Sequence, residues 1–275
     1  MNLRTLPLGA SRERCYMQEL ANCEGPISGE HLISKALMQV LRGDGDFTIS
    51  GLPWLDVGVE KKVGLNSLTA KCLCRRHNAA LSPLDSVAAL FVSALRECLE
   101  MPGTPDSYLF SGHDVERWLL KTLKAMAVSG NLGRGCVKSA GIFRSDIDII
   151  ERLDDHRSWP AGAGLYLAMP EQSRLINDAR LRICPWMNRQ EEIVGLWTCI
   201  AGLQFIMMIA DPATLAQDVR HWLYRPGALK VAVGPSHRLI EFSWDDGLRH
   251  SPMTLTFEKS VTGEILSKSL PVGET

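Results

Sequence analysis

The sequence predicts a mixed α+β protein, and three observations carry that expectation. Cysteines and a histidine stand in two separated clusters near the N-terminus, in CYMQELANCEGPISGEHL and in CLCRRHN. Between residues 82 and 130 apolar residues recur at helical spacing. Beyond residue 160 they alternate with polar ones or run continuously, as in strands. Of 275 residues, 45% are hydrophobic and 22% charged, which excludes a disordered or fibrous chain. A formal net charge of -1 excludes a chain-wide cationic field, so a polyanion would have to meet a local patch.

The start, MNLRTLPLGASRERC, lacks the apolar core of a secretory signal. A cytoplasmic location and reduced thiols are therefore expected, and reduced thiols are available as metal ligands. Cys98, Cys136, Cys184 and Cys199 lie in apolar contexts and read as small core residues. The run IVGLWTCIAGLQFIMMIA, residues 193 to 210, has the length of a membrane span. Acidic flanks at Glu191, Glu192 and Asp211, and recurrent Ile, Val, Thr and Trp, favour a buried β-hairpin turning near Gly202, with no membrane partner.

Taken in chain order, SPLDSVAALFVSALRECLE predicts a helix with Val87, Leu90, Phe91, Ala94, Leu95 and Cys98 on its apolar stripe, ended by Met101-Pro102-Gly103. SGHDVERWLLKTLKAMAVSG predicts a second, with Ser111 as cap, Asp114 three residues on, and Val115, Trp118, Leu119, Thr122, Leu123 and Met126 on one face. Gly130 to Gly135 marks a break. AGLYLAM at 163 to 169 reads as a strand, and LIEFSW and MTLTFEK, joined across Asp245-Asp246-Gly247, read as an antiparallel pair. The expected division is a metal-clamped segment over 1–104 and a mixed α+β domain with an antiparallel sheet over 105–275.

The chemistry lies in the first part. Cys74 and His77 have the C-x-x-H spacing with which one turn at a helix start presents two donors to a tetrahedral zinc, and Cys15 and Cys23 form the looser second pair. Cys72 in place of Cys74, or unliganded core thiols at Cys15 and Cys23, are the alternatives. Between the pairs stands Glu30-His31, about 40 residues before Cys72. His31 has the side chain of a general base near neutral pH, or of a hydrogen-bonded core histidine. Lys35, Lys71, Arg75 and Arg76 are candidate contacts to phosphate, or solvated charges. His113, His156, His221, His237 and His250 have no partner spacing and are assigned no function.

On EHLISKAL and CRRHN the chain resembles the HNH endonuclease family over residues 12 to 92, under a third of its length. In that pattern a cysteine knuckle precedes D/E-H-I-x-P, an asparagine, and a second knuckle opening a helix. His77 stands here in the place of a cysteine and Asn78 in the last H/N position. Ser34 replaces the common proline, and Asn66 is the one candidate for the middle asparagine. The resemblance implies a zinc-stabilised ββα-metal (treble-clef) module that hydrolyses phosphodiesters, DNA before RNA. It assigns His31 as base, and Glu30 and Asn78 as ligands of a catalytic Mg²⁺ or Mn²⁺. The C-terminal part would then bind substrate, a partner protein or a second copy. The competing expectation is a zinc treble clef without hydrolysis that binds nucleic acid or a protein.

Overall fold

The computed structural model describes residues 3–42, 46–100, 106–134, 137–138, 148–155, 159–168, 179–211, 222–233, 236–259 and 265–269. Cys136, His156 and His221 lie outside them. In chain order the first part contains β1 (Ile27–His31), α1 (Lys35–Arg42), β2 (Phe47–Ser50), β3 (Glu60–Val63), β4 (Thr69–Cys74) and α2 (Arg75–Glu100). Then come β5 (Asp106–Ser111), α3 (Gly112–Val128), β6 (Gly133–Arg134), β7 (Val137–Lys138), α4 (Ile149–Asp154) and β8 (Gly164–Ala168). Among the described residues the last part is all strand: β9 (Arg180–Met187), β10 (Ile193–Ile200), β11 (Leu203–Met208), β12 (Leu223–Tyr224), β13 (Ala228–Val233), β14 (Ser236–Ser243), β15 (Pro252–Lys259) and β16 (Ile265–Ser269).

These strands make a seven-stranded sheet in the order β12-β8-β11-β10-β9-β2-β3, a five-stranded sheet in the order β16-β15-β13-β14-β5, and the two-stranded pairs β1-β4 and β6-β7. The fold is mixed α+β, with antiparallel pairs beside parallel ones at β2/β9, β13/β15 and β14/β5. The two parts expected to meet at 104/105 share one sheet, because β2 lies beside β9, and one continuous core from Leu3 to Leu255.

The run 193 to 210 is the hairpin β10-β11, with Ile200 opposite Leu203. Its two turn residues, Ala201 and Gly202, have φ of 52° and 82°, the left-handed geometry that suits the twist of a two-residue hairpin. The run is apolar but for Thr198 and Gln204 because both faces of the sheet are covered. Leu196, Phe205 and Met207 join the main core, whereas Val194, Ile206 and Met208 pack with Trp186, Trp197, Trp222 and Tyr224 on the other side. LIEFSW and MTLTFEK do not pair with each other. β13 lies between them, antiparallel to β14 and parallel to β15, so the turn at Asp245-Asp246-Gly247 joins strands that are not neighbours.

α2 begins at Arg75, seven residues before the predicted start, and passes through Pro83. Proline has no N–H for the Ala79 carbonyl, and the Ser82 hydroxyl donates to that carbonyl instead at 2.9 Å. The α2 core face is Leu81, Leu84, Ala88, Phe91, Leu95 and Cys98; Leu90, expected on that stripe, is exposed. Cys98 is a core residue as expected, whereas Cys184 and Cys199 are half-buried. Among the described residues α2 alone is, by length and composition, a helix apolar enough to cross a membrane, and 44% of its apolar window is buried. Phe91 meets Phe110, Phe205 and Phe242, which belong to β5, β11 and β14, so α2 packs between the two large sheets. Full burial of such a ring is worth about 2–3 kcal/mol.

α3 starts where expected, with Ser111 Oγ accepting from Asp114 N at 3.3 Å. It is buried all round rather than on one face, including Glu116, Arg117 and Lys121. Glu116 accepts from Leu165 N (2.7 Å) and from Arg225 Nε (2.9 Å), and Arg225 reaches on to Asp246 (2.7 Å). Those bonds tie α3 to both large sheets with each charge paired, as burial demands.

Candidate metal centre

Cys15, Cys23, Cys74 and His77 converge, with all four donor atoms within 4.8 Å of one another and all four residues buried. Cys74 ends β4 and His77 lies in the first turn of α2, so a strand-to-helix junction presents both. The long interval between Cys15 and Cys23 closes because the chain winds into a 3-10 turn at Gln18–Leu20 and reverses at Ala21, whose φ is 51°. A bridge between Ala10 and Cys23, and the bond from Tyr16 N to Cys72 O (3.0 Å), fasten this loop beside β4.

His77 Nδ1 lies 3.3 Å from Cys15 Sγ, 3.7 Å from Cys23 Sγ and 3.2 Å from Cys74 Sγ. In a tetrahedral zinc site the metal bonds are about 2.3 Å to sulfur and 2.1 Å to nitrogen, which separates N from S by about 3.6 Å. The four residues therefore fit the ion: this group could hold a zinc. Burial pushes the Cys15 thiol up to about 12 and raises Cys23 as well, while burial and then Arg76 lower His77. A dication at the centre reverses that cost by favouring thiolates. Backbone amides already point at the sulfurs, Cys74 N at Cys15 Sγ (3.4 Å) and His77 N at Cys74 Sγ (3.5 Å).

Outside the four donors, Asn22 fixes the imidazole. Its Oδ1 lies 2.7 Å from His77 Nε2, and its Nδ2 donates to the Leu3 carbonyl at 2.9 Å. A carbonyl can only accept, so the Leu3 bond sets the amide with its oxygen towards His77. The proton then sits on Nε2 and the Nδ1 lone pair faces the sulfurs. Cys72 is not one of the four donors. It is a buried thiol pushed up to about 12 by burial and then by the charge of Glu30.

The second expected set is arranged differently. β1 pairs with β4, with Glu30 opposite Ala70 and His31 opposite Thr69. Successive strand residues face opposite sides, and here Glu30 turns inwards, 2% exposed, while His31 stays half-buried. Lys121 Nζ of α3 lies 2.7 Å from Glu30 Oε1 and 2.6 Å from Asp85 Oδ2 of α2. Burial opposes the charge on Lys121, but Glu30 and Asp85 outweigh it and raise its pKa; burial raises that of Glu30 against the pull of Lys121. Asn78 donates to Ser28 Oγ (3.0 Å) and to the Gly29 carbonyl (3.1 Å) at the register shift in β1, so its amide staples a bulge to α2.

The residues therefore do not fit the expected Mg²⁺ or Mn²⁺. Glu30 is committed to Lys121, and among the described residues the one group of three or more Cys, His, Asp or Glu donors that closes within 4.8 Å is the Cys3His group. Burial and then Lys35 lower the pKa of His31, against Asp85, Asn66 and Leu65, which raise it, and the ring is neutral at pH 7. Its Nε2 has no hydrogen-bond partner. Ser34, standing where the resemblance expects proline, accepts from Leu37 N (3.3 Å) and caps α1. Arg76 pairs with Glu24 and donates to the carbonyls of Pro7 and Asn22, so it ties loops together; Lys35, Lys71 and Arg75 are exposed.

Three participants had not been singled out from the sequence. Lys121 carried a usable signal, a cation flanked by apolar residues in RWLLKTLKAMA, where an unpaired charge is untenable. Asn22 and Asp85 carried none, since nothing local marks a carboxamide or carboxylate that bonds across the chain. Comparison with protein-family models, with curated proteins and with solved structures returns no match to this chain.

Proposed function

We propose that this chain is a zinc-stabilised binding protein, in which a treble-clef module holds one structural zinc and takes nucleic acid on its exposed cations without metal-dependent hydrolysis. The observation that carries the reading is the pairing of Glu30 with Lys121 beside a complete Cys3His group: one set of donors suits a structural ion, and the set that would activate water is neutralised. Lys35 at the start of α1, Lys71 on β4 and Arg75 at the start of α2 are the groups available for phosphate. Zinc clamps the loop carrying Cys15 and Cys23 to the β4–α2 junction, so its binding energy is folding energy for this module.

Purified protein is expected to carry one zinc per chain by elemental analysis, and Cys74→Ser to lose it. Duplex and single-stranded oligonucleotides are expected to bind with an affinity that falls as salt rises, and K35A/K71A/R75A to lessen that slope. Binding that ignores salt and the triple substitution would remove nucleic acid as the partner while leaving the zinc assignment standing.

A second reading, phosphodiester hydrolysis at His31, is favoured by one observation. The imidazole is neutral at pH 7, and its Nε2, although buried from solvent, has no hydrogen-bond partner, so it is unspent as a base. Cleavage of any nucleic acid by the wild type that His31→Ala abolishes would establish it over the first.

A further inference from the structure

Two carboxylates aimed at one buried nitrogen make a cation site, whatever the cation. Glu30 arrives from β1, Asp85 from α2 and the ammonium from α3, with separations of 2.7 and 2.6 Å and a Lys121 side chain only 2% exposed. Tyr16, within electrostatic reach of both carboxylates, is 8% exposed with no partner for its hydroxyl, and burial, then Glu30, with Asp85 among lesser causes, raise its pKa. The charge of Asp85 also reaches His31, whose Nε2 is likewise without a partner. The two carboxylates thus converge on one point as they would on a divalent ion, yet that point is already occupied.

We propose that Glu30 and Asp85 form a cation pocket whose permanent occupant is the Lys121 ammonium, and that this occupancy excludes Mg²⁺ and Mn²⁺ from the intact protein. An ammonium holds the carboxylates 2.6–2.7 Å away, whereas a divalent ion of this kind needs oxygens at about 2.1 Å, so both carboxylates would have to close in by about half an ångström. The tethered ammonium is present at every metal concentration. Two carboxylates against one ammonium leave the pocket net negative, which also turns a phosphate away from it. The inference is independent of the nucleic-acid partner proposed above.

The test uses the full-length, zinc-loaded chain titrated with Mn²⁺, free Mn²⁺ being followed by electron paramagnetic resonance and stability by thermal unfolding. Wild type is expected to bind no second metal at 100 µM Mn²⁺, Lys121→Met to bind one equivalent and to be raised in Tm by it, and E30Q/K121M to bind at least tenfold more weakly. Zinc content is measured in each, so that Mn²⁺ at the cysteines is recognised. Two results overturn the proposal: a wild type that binds Mn²⁺ and loses it with Glu30→Gln, or a Lys121→Met protein that Mn²⁺ neither binds nor stabilises, whether that protein is folded or must be refolded in its presence. The oligonucleotide assay is run on the same samples, so failure of the partner assignment and failure of the pocket are read separately.

Discussion

Replacing Asn22 with alanine removes one acceptor and one donor from a residue that is 1% exposed. His77 Nε2 loses its partner at 2.7 Å, and the Leu3 carbonyl loses its 2.9 Å bond. Freed of the restraint, the imidazole samples orientations in which Nδ1 no longer faces the three sulfurs. Loss of such an outer partner costs about 10- to 100-fold in metal affinity, or about 1.4–2.8 kcal/mol at 1.4 kcal/mol per factor of ten. The two stranded polar groups add a folding cost of about 1–3 kcal/mol each, which lowers Tm separately. Asn22→Asp divides the two effects, since a carboxylate still accepts from Nε2 but cannot donate to Leu3. Zinc affinity measured by competition with a chromophoric chelator should fall 10- to 100-fold in Asn22→Ala and stay within about threefold of wild type in Asn22→Asp. Wild-type affinity in a folded Asn22→Ala protein would refute the role given to Asn22, and with it the assignment of Nδ1 as the ligating nitrogen.

Two further outcomes follow from the packing. Gly51, just after β2, has φ of 86°, and an added Cβ would lie 1.9 Å from the Ile183 carbonyl oxygen; Gly51→Ala should therefore cost about 2 kcal/mol or more in denaturant unfolding, from strain and clash together. Asp246 is held down to about 2, although burial alone would raise it, because Leu248 N–H, His250 and Arg225 all bond it. A lowered carboxylate contributes stability that is complete above its unfolded pKa of about 3.9 and is lost as pH falls through its folded value, so Asp246→Asn should flatten the stability profile between pH 4 and 2 and leave its shape above pH 5 unchanged.

The features legible in the sequence are those whose cause is local. Cys74-x-x-His77 is one turn of chain, the Ser111 cap is three residues of chain, and the 193–210 hairpin needs only a turn at 201–202 and apolar faces on both sides. Features that depend on distant partners were not legible. β13 enters between β14 and β15, which no alternation pattern within LIEFSW or MTLTFEK can encode. Glu30 is paired by a lysine 91 positions away, and a strand residue's pattern says which side it faces but not what waits there. The resemblance placed Glu30 and Asn78 on an ion; the first is taken by an ammonium and the second by a backbone bulge.

The parallel contact between β2 and β9 also bears on how the chain is born. Thr48, Ile49 and Ser50 emerge from the ribosome about 130 residues before Arg180, Leu181 and Arg182, the segment they will pair with. For that interval Phe47 and Ile49, both fully interior in the finished molecule, present an open edge to other nascent chains. The four donors of the Cys3His group are all made once His77 is made, but the sheet cannot be completed, so a protein cut after residue 104 would keep the donors that could hold an ion and expose a sticky flank.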